Sequence, residues 1–221
     1  EPITDDVEAP PSAGRQVLRV VLLVVIAVAA LAIAGSAGWL ARGGSDTVSA
    51  SSVDAGFARD MSTHHTQAVT MAGYERDNTT NPALKVLAFD IETSQETQVG
   101  EMSGWLVAWG LSRAGSNTPM SWMAGHGHVG ADGLMPGMAT PEQMNQLETA
   151  HGTALDILFL QLMIHHHQGG LPMAQYAEEH ASKAYVRALA GGMVVTQTNE
   201  IVQMEQLLRQ LGGDPLPPPA S

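Results

Sequence analysis

Two stretches of the chain, MSTHHTQAVTMA at residues 61–72 and MIHHHQGGLPMA at residues 163–174, set paired histidines between methionines in otherwise apolar surroundings. Imidazole and thioether are both metal donors. In a chain with no cysteine, 12 methionines and 9 histidines, soft-metal chemistry can come from nothing else. On a helix turning 100° per residue, Phe57, Met61, His64, His65, Ala68, Met71 and Ala72 fall in one stripe about 120° wide. The imidazoles therefore share the apolar face. A buried imidazole needs a partner for each nitrogen, a core lined with thioethers supplies few, and coordination of a metal answers that need.

The candidate ligands are Met61, His64, His65 and Met71 in the first stretch and Met163, His165, His166, His167 and Met173 in the second. Ligand softness favours Cu(I), with silver by analogy, while Cu(II) can use the imidazoles alone. Three consecutive histidines on one helix point in different directions and cannot all bind one zinc ion. A di-iron centre needs inward glutamates and Glu-x-x-His on two helices, whereas the chain has that spacing only at Glu148 and His151. A single core histidine is ordinarily a satisfied structural residue and a methionine at helical spacing is ordinarily packing. Duplication of the whole frame argues against that reading for the two His-His pairs. Met102 and Met204 are assigned to core packing, and His151, His180, Met144 and Met193 to structure. No nucleophile–base–orienter set or phosphate loop stands out, so enzymatic turnover is not expected.

The duplication extends well beyond the histidines. Residues 54–110 overlay 156–212 without a gap, at a constant offset of 102, with 14 identities in 57 positions, among them Asp54/Asp156, Phe57/Phe159, Met61/Met163, Tyr74/Tyr176, Gln95/Gln197 and Met102/Met204. Each repeat reads as a helix pair, with helices at about 53–77, 82–110, 153–181 and 183–211, which predicts an all-α, ferritin-like four-helix bundle over residues 53–212. Thr140, Pro141 and Gln143 predict a short extra helix opened by a capping box. The Met/His-rich connection at 112–150 carries Met120, Met123, His126, His128, Met135 and Met138, and reads either as a mobile arm that hands copper to the bundle or as a merely flexible link. Pro172, with Gly169 and Gly170 beside it, predicts a kink or widening just after the second histidines, leaving that half the more open.

Ahead of the domain, residues 1–16 read as a disordered acidic tail, 17–42 as one transmembrane helix and 43–52 as a flexible linker. The uncharged run of residues 20–41 would span ~33 Å as a helix, enough for a bilayer core. Arg15 and Arg19 before it against Arg42 after it orient the domain outward, giving a single-pass protein of the cytoplasmic membrane with its C-terminal domain on the extracytoplasmic side. The lipid bilayer is then a partner through the N-terminal helix. Nucleic acid is not, because the net charge is −12 and eighteen acidic side chains face seven basic ones beyond residue 43. Residues 213–221 form a proline-rich tail.

The repeated MxxHHxxAxxMA pattern, the segment GMATPEQMNQLETAHGTALDILFLQLMIHHHQGG and the anchor together resemble a bacterial family of uncharacterised, exported, ferritin-like proteins that includes the periplasmic copper-binding protein CopM. The resemblance covers roughly residues 53–212. It implies a four-helix bundle outside the cytoplasmic membrane that binds copper through Met and His, at Met61, His64, His65, Met71, Met163, His166, His167 and Met173, and serves metal handling or tolerance. The competing expectation is an accessory or assembly subunit of a membrane complex, a respiratory one, in which the bundle docks and the proline-rich tail engages a partner.

Overall fold

The computed structural model describes residues 47–115, 118–123, 125, 127, 129–219, and every regular element among them is helical. The expected tail, the membrane helix and residues 43–46 of the linker lie outside the described residues, as do His126 and His128. No helix among the described residues is long and apolar enough to cross a membrane. The described residues from Val48 onward form one compact unit.

Five α-helices make up this unit: α1 (Val53–Asn78), α2 (Pro82–Ala108), the short α3 (Pro141–Thr149), α4 (Thr153–His180) and α5 (Ala184–Gln210). The caps follow local chemistry. Ser52 accepts from the Ala55 amide, Asn81 accepts from that of Ala83 with Pro82 at the first helical position, and Thr140 and Gln143 form the anticipated reciprocal box. Helices α1 and α2 form one hairpin, α4 and α5 the other, and the two hairpins meet chiefly through α1 and α4. Asp54 locks the α4–α5 turn by accepting from the Ser182 amide and hydroxyl and the Lys183 amide at 2.8–3.0 Å. Its repeat mate Asp156 accepts from Thr79 Oγ1, at the α1–α2 turn, at 2.7 Å. Each hairpin thus fastens the other's turn.

The core divides into two apolar clusters. One gathers Phe57, Met61, Met102, Leu106, Met173, Ala174 and Ala177, and the other Ala68, Met71, Phe159, Met163, Met204 and Leu208. Repeat mates fall in opposite clusters throughout: Phe57 against Phe159, Met61 against Met163, Met71 against Met173. Such an exchange is what a two-fold relation between the hairpins produces, with α1 and α4 running in opposite directions.

Two expectations are corrected. Helix α4 continues in helical conformation through Pro172 to His180, and His166 and His167 are as deeply buried as His64 and His65, so the paired histidines of the second half are not the more open. The neighbouring glycines permit close approach. A Cβ at Gly169 would lie 2.1 Å from the Pro136 carbonyl oxygen, and one at Gly170 would press on His64 and Gln197. Nor are the described residues of the 112–139 connection a loose arm: Met120, Trp122, Met123 and Met135 are buried in the first cluster, and the Asp60 carboxylate holds the Met120 amide and the Trp122 indole N–H. The proline-rich tail is likewise laid on the bundle, with Gln161 donating to the Asp214 carbonyl and Leu216 packed against the second cluster.

Candidate functional site

Between the two apolar clusters lies a buried polar layer made of His64, His65, Gln95, His166, His167 and Gln197. The four histidines are 0–1 % exposed. Helix α1 supplies His64 and His65, and α4 supplies His166 and His167, where the adjacent positions of each pair splay the two rings toward different neighbours. The His64 and His166 rings lie face to face across the two-fold, centroids 3.8 Å apart and 36° from parallel. His65 and His167 turn outward, toward α2 and α5.

Each of the four rings is held through Nε2. His65 donates to Gln98 Oε1 at 2.8 Å and His167 to Glu200 Oε2 at 2.8 Å, two contacts that are exact counterparts in the repeat. His64 donates to the Pro136 carbonyl at 3.1 Å and His166 to the His64 carbonyl at 3.0 Å, where the repeat is broken. Because an oxygen accepts at every Nε2, the proton sits there and the lone pair sits on Nδ1. For His64, His65 and His167 that Nδ1 is buried and has no hydrogen-bond partner, and neither has the Gln197 Oε1 or the side-chain amide of Gln95.

Burial favours the neutral form of His64, His65 and His166. Desolvation pushes His64 down to about 4, against a smaller opposing effect of the Pro136 hydrogen bond, and pushes His65 down to about 3, with the neighbouring His64 adding to the effect. His166 is lowered well below the ordinary value by desolvation and then by its three histidine neighbours. Buried neutral imidazoles with an outward-anchored N–H and an inward lone pair have the form of metal ligands whose orientation is set by a carboxylate, an amide or a carbonyl behind them.

The sulfur donors flank this layer instead of joining it in one plane. Met61 and Met173 lie in the cluster on one side, Met71 and Met163 in the cluster on the other, and all four are fully buried. The structure therefore brings eight of the nine candidate ligands to the layer or its two faces. His165 stands apart: it is half-buried on the outer side of α4 and donates Nδ1–H to the Pro217 carbonyl at 2.9 Å. Among the described residues no group of three or more His, Asp or Glu side chains is drawn close enough to grip an ion as it stands. What the layer offers is soft donors: imidazole lone pairs and thioethers above and below. That set fits Cu(I) or Ag(I) and suits zinc or di-iron chemistry poorly.

Gln98, Glu200 and the Pro136 carbonyl were not anticipated. The first two stand one repeat apart and each follows its histidine by 33 residues, but they differ in identity, so a comparison by identity passes over them. A second buried polar site lies at the C-terminal end of α1, where Glu75 sits beside Asp156 and Thr79. Desolvation, then the neighbouring Asp156 carboxylate, push Glu75 up to about 8.

The family model described as "Domain of unknown function (DUF305)" matches residues 54–208. A Streptomyces coelicolor protein described as a secreted DUF305 protein has a solved structure that aligns with a TM-score of 0.71 at 43% identity, over 76% of this chain and 99% of its own. A DUF305 fragment from Deinococcus radiodurans aligns at 0.60 and 30% identity, over 72% of this chain and 96% of its own. CopM in the Cu(I)-bound form aligns at 0.56 and 26% identity, over 72% of this chain and 98% of its own. No curated protein sequence matches the chain.

Proposed function

We propose that this chain, which belongs to the DUF305 family, is a membrane-anchored, extracytoplasmic copper-binding protein that handles copper through Met and His ligands without enzymatic turnover. The reading rests on one observation above all: three buried imidazole Nδ1 lone pairs without a hydrogen-bond donor, in a layer faced on both sides by buried methionines. Leaving such groups unpaired costs about 1–3 kcal/mol each, a cost that a protein built only for stability has no reason to duplicate. Copper coordinated there would satisfy the nitrogens, and Cu(I) would additionally draw on the thioethers. The likeness to CopM, which is known in Cu(I)- and Cu(II)-bound forms, supports copper as the ion, and the likeness to a protein described as secreted supports the extracytoplasmic location. The ferritin-like two-repeat bundle and the single N-terminal membrane helix belong to the same reading.

The test is competition between the purified full chain in mild detergent and a chromogenic Cu(I) chelator, with Zn(II) as the comparison ion. Wild type withdraws Cu(I) from the chelator in preference to Zn(II). A variant with His64, His65, His166 and His167 all replaced by Leu loses that capacity, and retention of wild-type affinity by the folded variant refutes the layer as the site.

A second reading, a docking subunit of a membrane complex, draws on a different feature. Trp105, Trp109 and Tyr185 form a partly exposed aromatic corner, joined by a Trp109 Nε1–H to Tyr185 hydroxyl hydrogen bond of 3.1 Å, beside a Val107 that is 71% exposed. Subunits that co-purify with wild type and are lost from a Trp109→Ala/Tyr185→Ala variant would favour it.

A further inference from the structure

His165, Met135 and Met138 take no part in the buried layer, yet the fold brings them together. They line one groove of about 500 Å³ between the 129–138 segment and the C-terminal tail at Leu216–Pro219. We propose that this groove is a second, outer binding site for soft monovalent cations, Cu(I) and Ag(I), with Met135, Met138 and His165 as its ligands, and that it passes the ion to the buried histidine layer. The second half of that statement rests on the function proposed above. The existence of the outer site does not.

Three features support it. The first is the donor set, two thioethers and one imidazole without a thiolate, which selects soft monovalent ions over Zn(II). The second is the state of His165. Its Nδ1–H is donated to the Pro217 carbonyl, so the Nε2 lone pair is left for a ligand, and a metal-binding histidine is ordinarily held by a backbone carbonyl in this way. This gives the proline-rich tail a task within the chain: it orients the ring. The third is position. Pro136, between the other two ligands of the groove, holds the His64 Nε2–H through its carbonyl, so groove and layer share one wall a single residue thick. That wall is clamped to α4, because a Cβ at Gly137 would lie 2.5 Å from the His165 carbonyl oxygen and one at Gly169 would lie 2.1 Å from the Pro136 carbonyl oxygen. Met135 is itself only 5% exposed and also packs in the first cluster, so one side chain borders both the groove and the core that adjoins the layer.

The experiment uses the full chain in detergent micelles, labelled with ¹³C at the methionine methyls and titrated with Ag(I), which is diamagnetic and stable in air. The Met135 and Met138 methyls, assigned through Met135→Leu and Met138→Leu, shift first, ahead of Met61 and Met163, and an equal concentration of Zn(II) leaves them in place. In a Met135→Leu/Met138→Leu/His165→Gln variant, stoichiometry falls by one ion and transfer of Cu(I) from a chelator to the layer slows by about tenfold, the scale on which loss of orienting or ligating groups usually acts. Unmoved Met135 and Met138 methyls while Met61 and Met163 shift would overturn the outer site and leave the layer standing. Movement of the outer methyls alone, with the layer silent up to saturation, would uphold the outer site and refute the layer.

Discussion

Replacing His65 with Leu should make the protein more stable in the absence of metal while weakening its hold on copper. His65 is fully buried, its Nδ1 has no donor, and its Nε2 partner Gln98 is half-exposed, so that amide can turn to water when the ring is gone. The variant loses one hydrogen bond of about 1 kcal/mol net and removes an unsatisfied buried nitrogen that costs about 1–3 kcal/mol. Leu also places hydrocarbon between two apolar clusters, adding up to about 1–2 kcal/mol. The balance is a gain of about 1–3 kcal/mol, or about 3–10 °C in Tm for a domain of this size. Calorimetry under anaerobic conditions, with and without Cu(I) at a hundredfold excess over Kd, reads both effects. Wild type should gain about 2.7 kcal/mol from the ion by mass action and the variant distinctly less. A variant destabilised by more than about 1 kcal/mol without metal would refute the reasoning, since it would mean that the buried Nδ1 already has a partner and carries no cost to be recovered.

Acid should unfold the protein early. His64, His65 and His166 have folded-state values depressed below that of the unfolded chain, so their contribution is fully present above pH ~6.5 and falls by about 1.4 kcal/mol per pH unit per histidine as pH drops toward 4; urea unfolding at pH 7, 6 and 5 reads the slope, and a flat profile contradicts it. Glu75 has the opposite sign, because its folded value is raised and its contribution is lost as pH rises through about 8. Glu75→Gln should therefore raise Tm at pH 8.5 and do so less at pH 5, with equal gains at both counting against a buried proton. Gly169→Ala drives a methyl into the Pro136 backbone, which should cost about 2 kcal/mol or more and free the His64 ring, visible as a lower Tm together with altered histidine ring shifts in NMR.

The helices were legible because apolar periodicity, caps and an offset of 102 residues all pointed to the same elements, and the His-His pairs were legible as buried because they fall on the stripe with Phe57 and Met61. What lay beyond the sequence was the exchange of partners between repeats. That Met61 shares a cluster with Met173, and Met71 with Met163, follows from the antiparallel placement of α1 and α4, which periodicity along one helix does not encode. The role of the glycines beside Pro172 lay beyond the sequence for a related reason: Gly169 and Gly170 stand where the Pro136 backbone and the His64 ring press on α4, a contact that local composition does not reveal. His165 has no counterpart in the first repeat, where Thr63 stands, and its partner is the tail, a segment outside the duplication.

Where the duplication is broken, the two halves of the layer cease to be equivalent. His65 is backed by an amide and His167 by a carboxylate at the same separation in sequence, so the Nδ1 of His167 is the more electron-rich of the two, because a carboxylate accepting from one imidazole nitrogen raises the basicity of the other. His64 leans on the Pro136 carbonyl, outside both repeats, while His166 leans on the carbonyl of His64 itself, so displacement of His64 disturbs His166 as well. The 129–138 segment touches both halves, through the Pro136 carbonyl on His64 and through Gly137 against α4, and the second half carries the carboxylate-backed ring. Under the copper-binding reading proposed above, the carboxylate-backed His167 would be the stronger imidazole ligand, an inequality that two identical hairpins around a symmetric layer would lack.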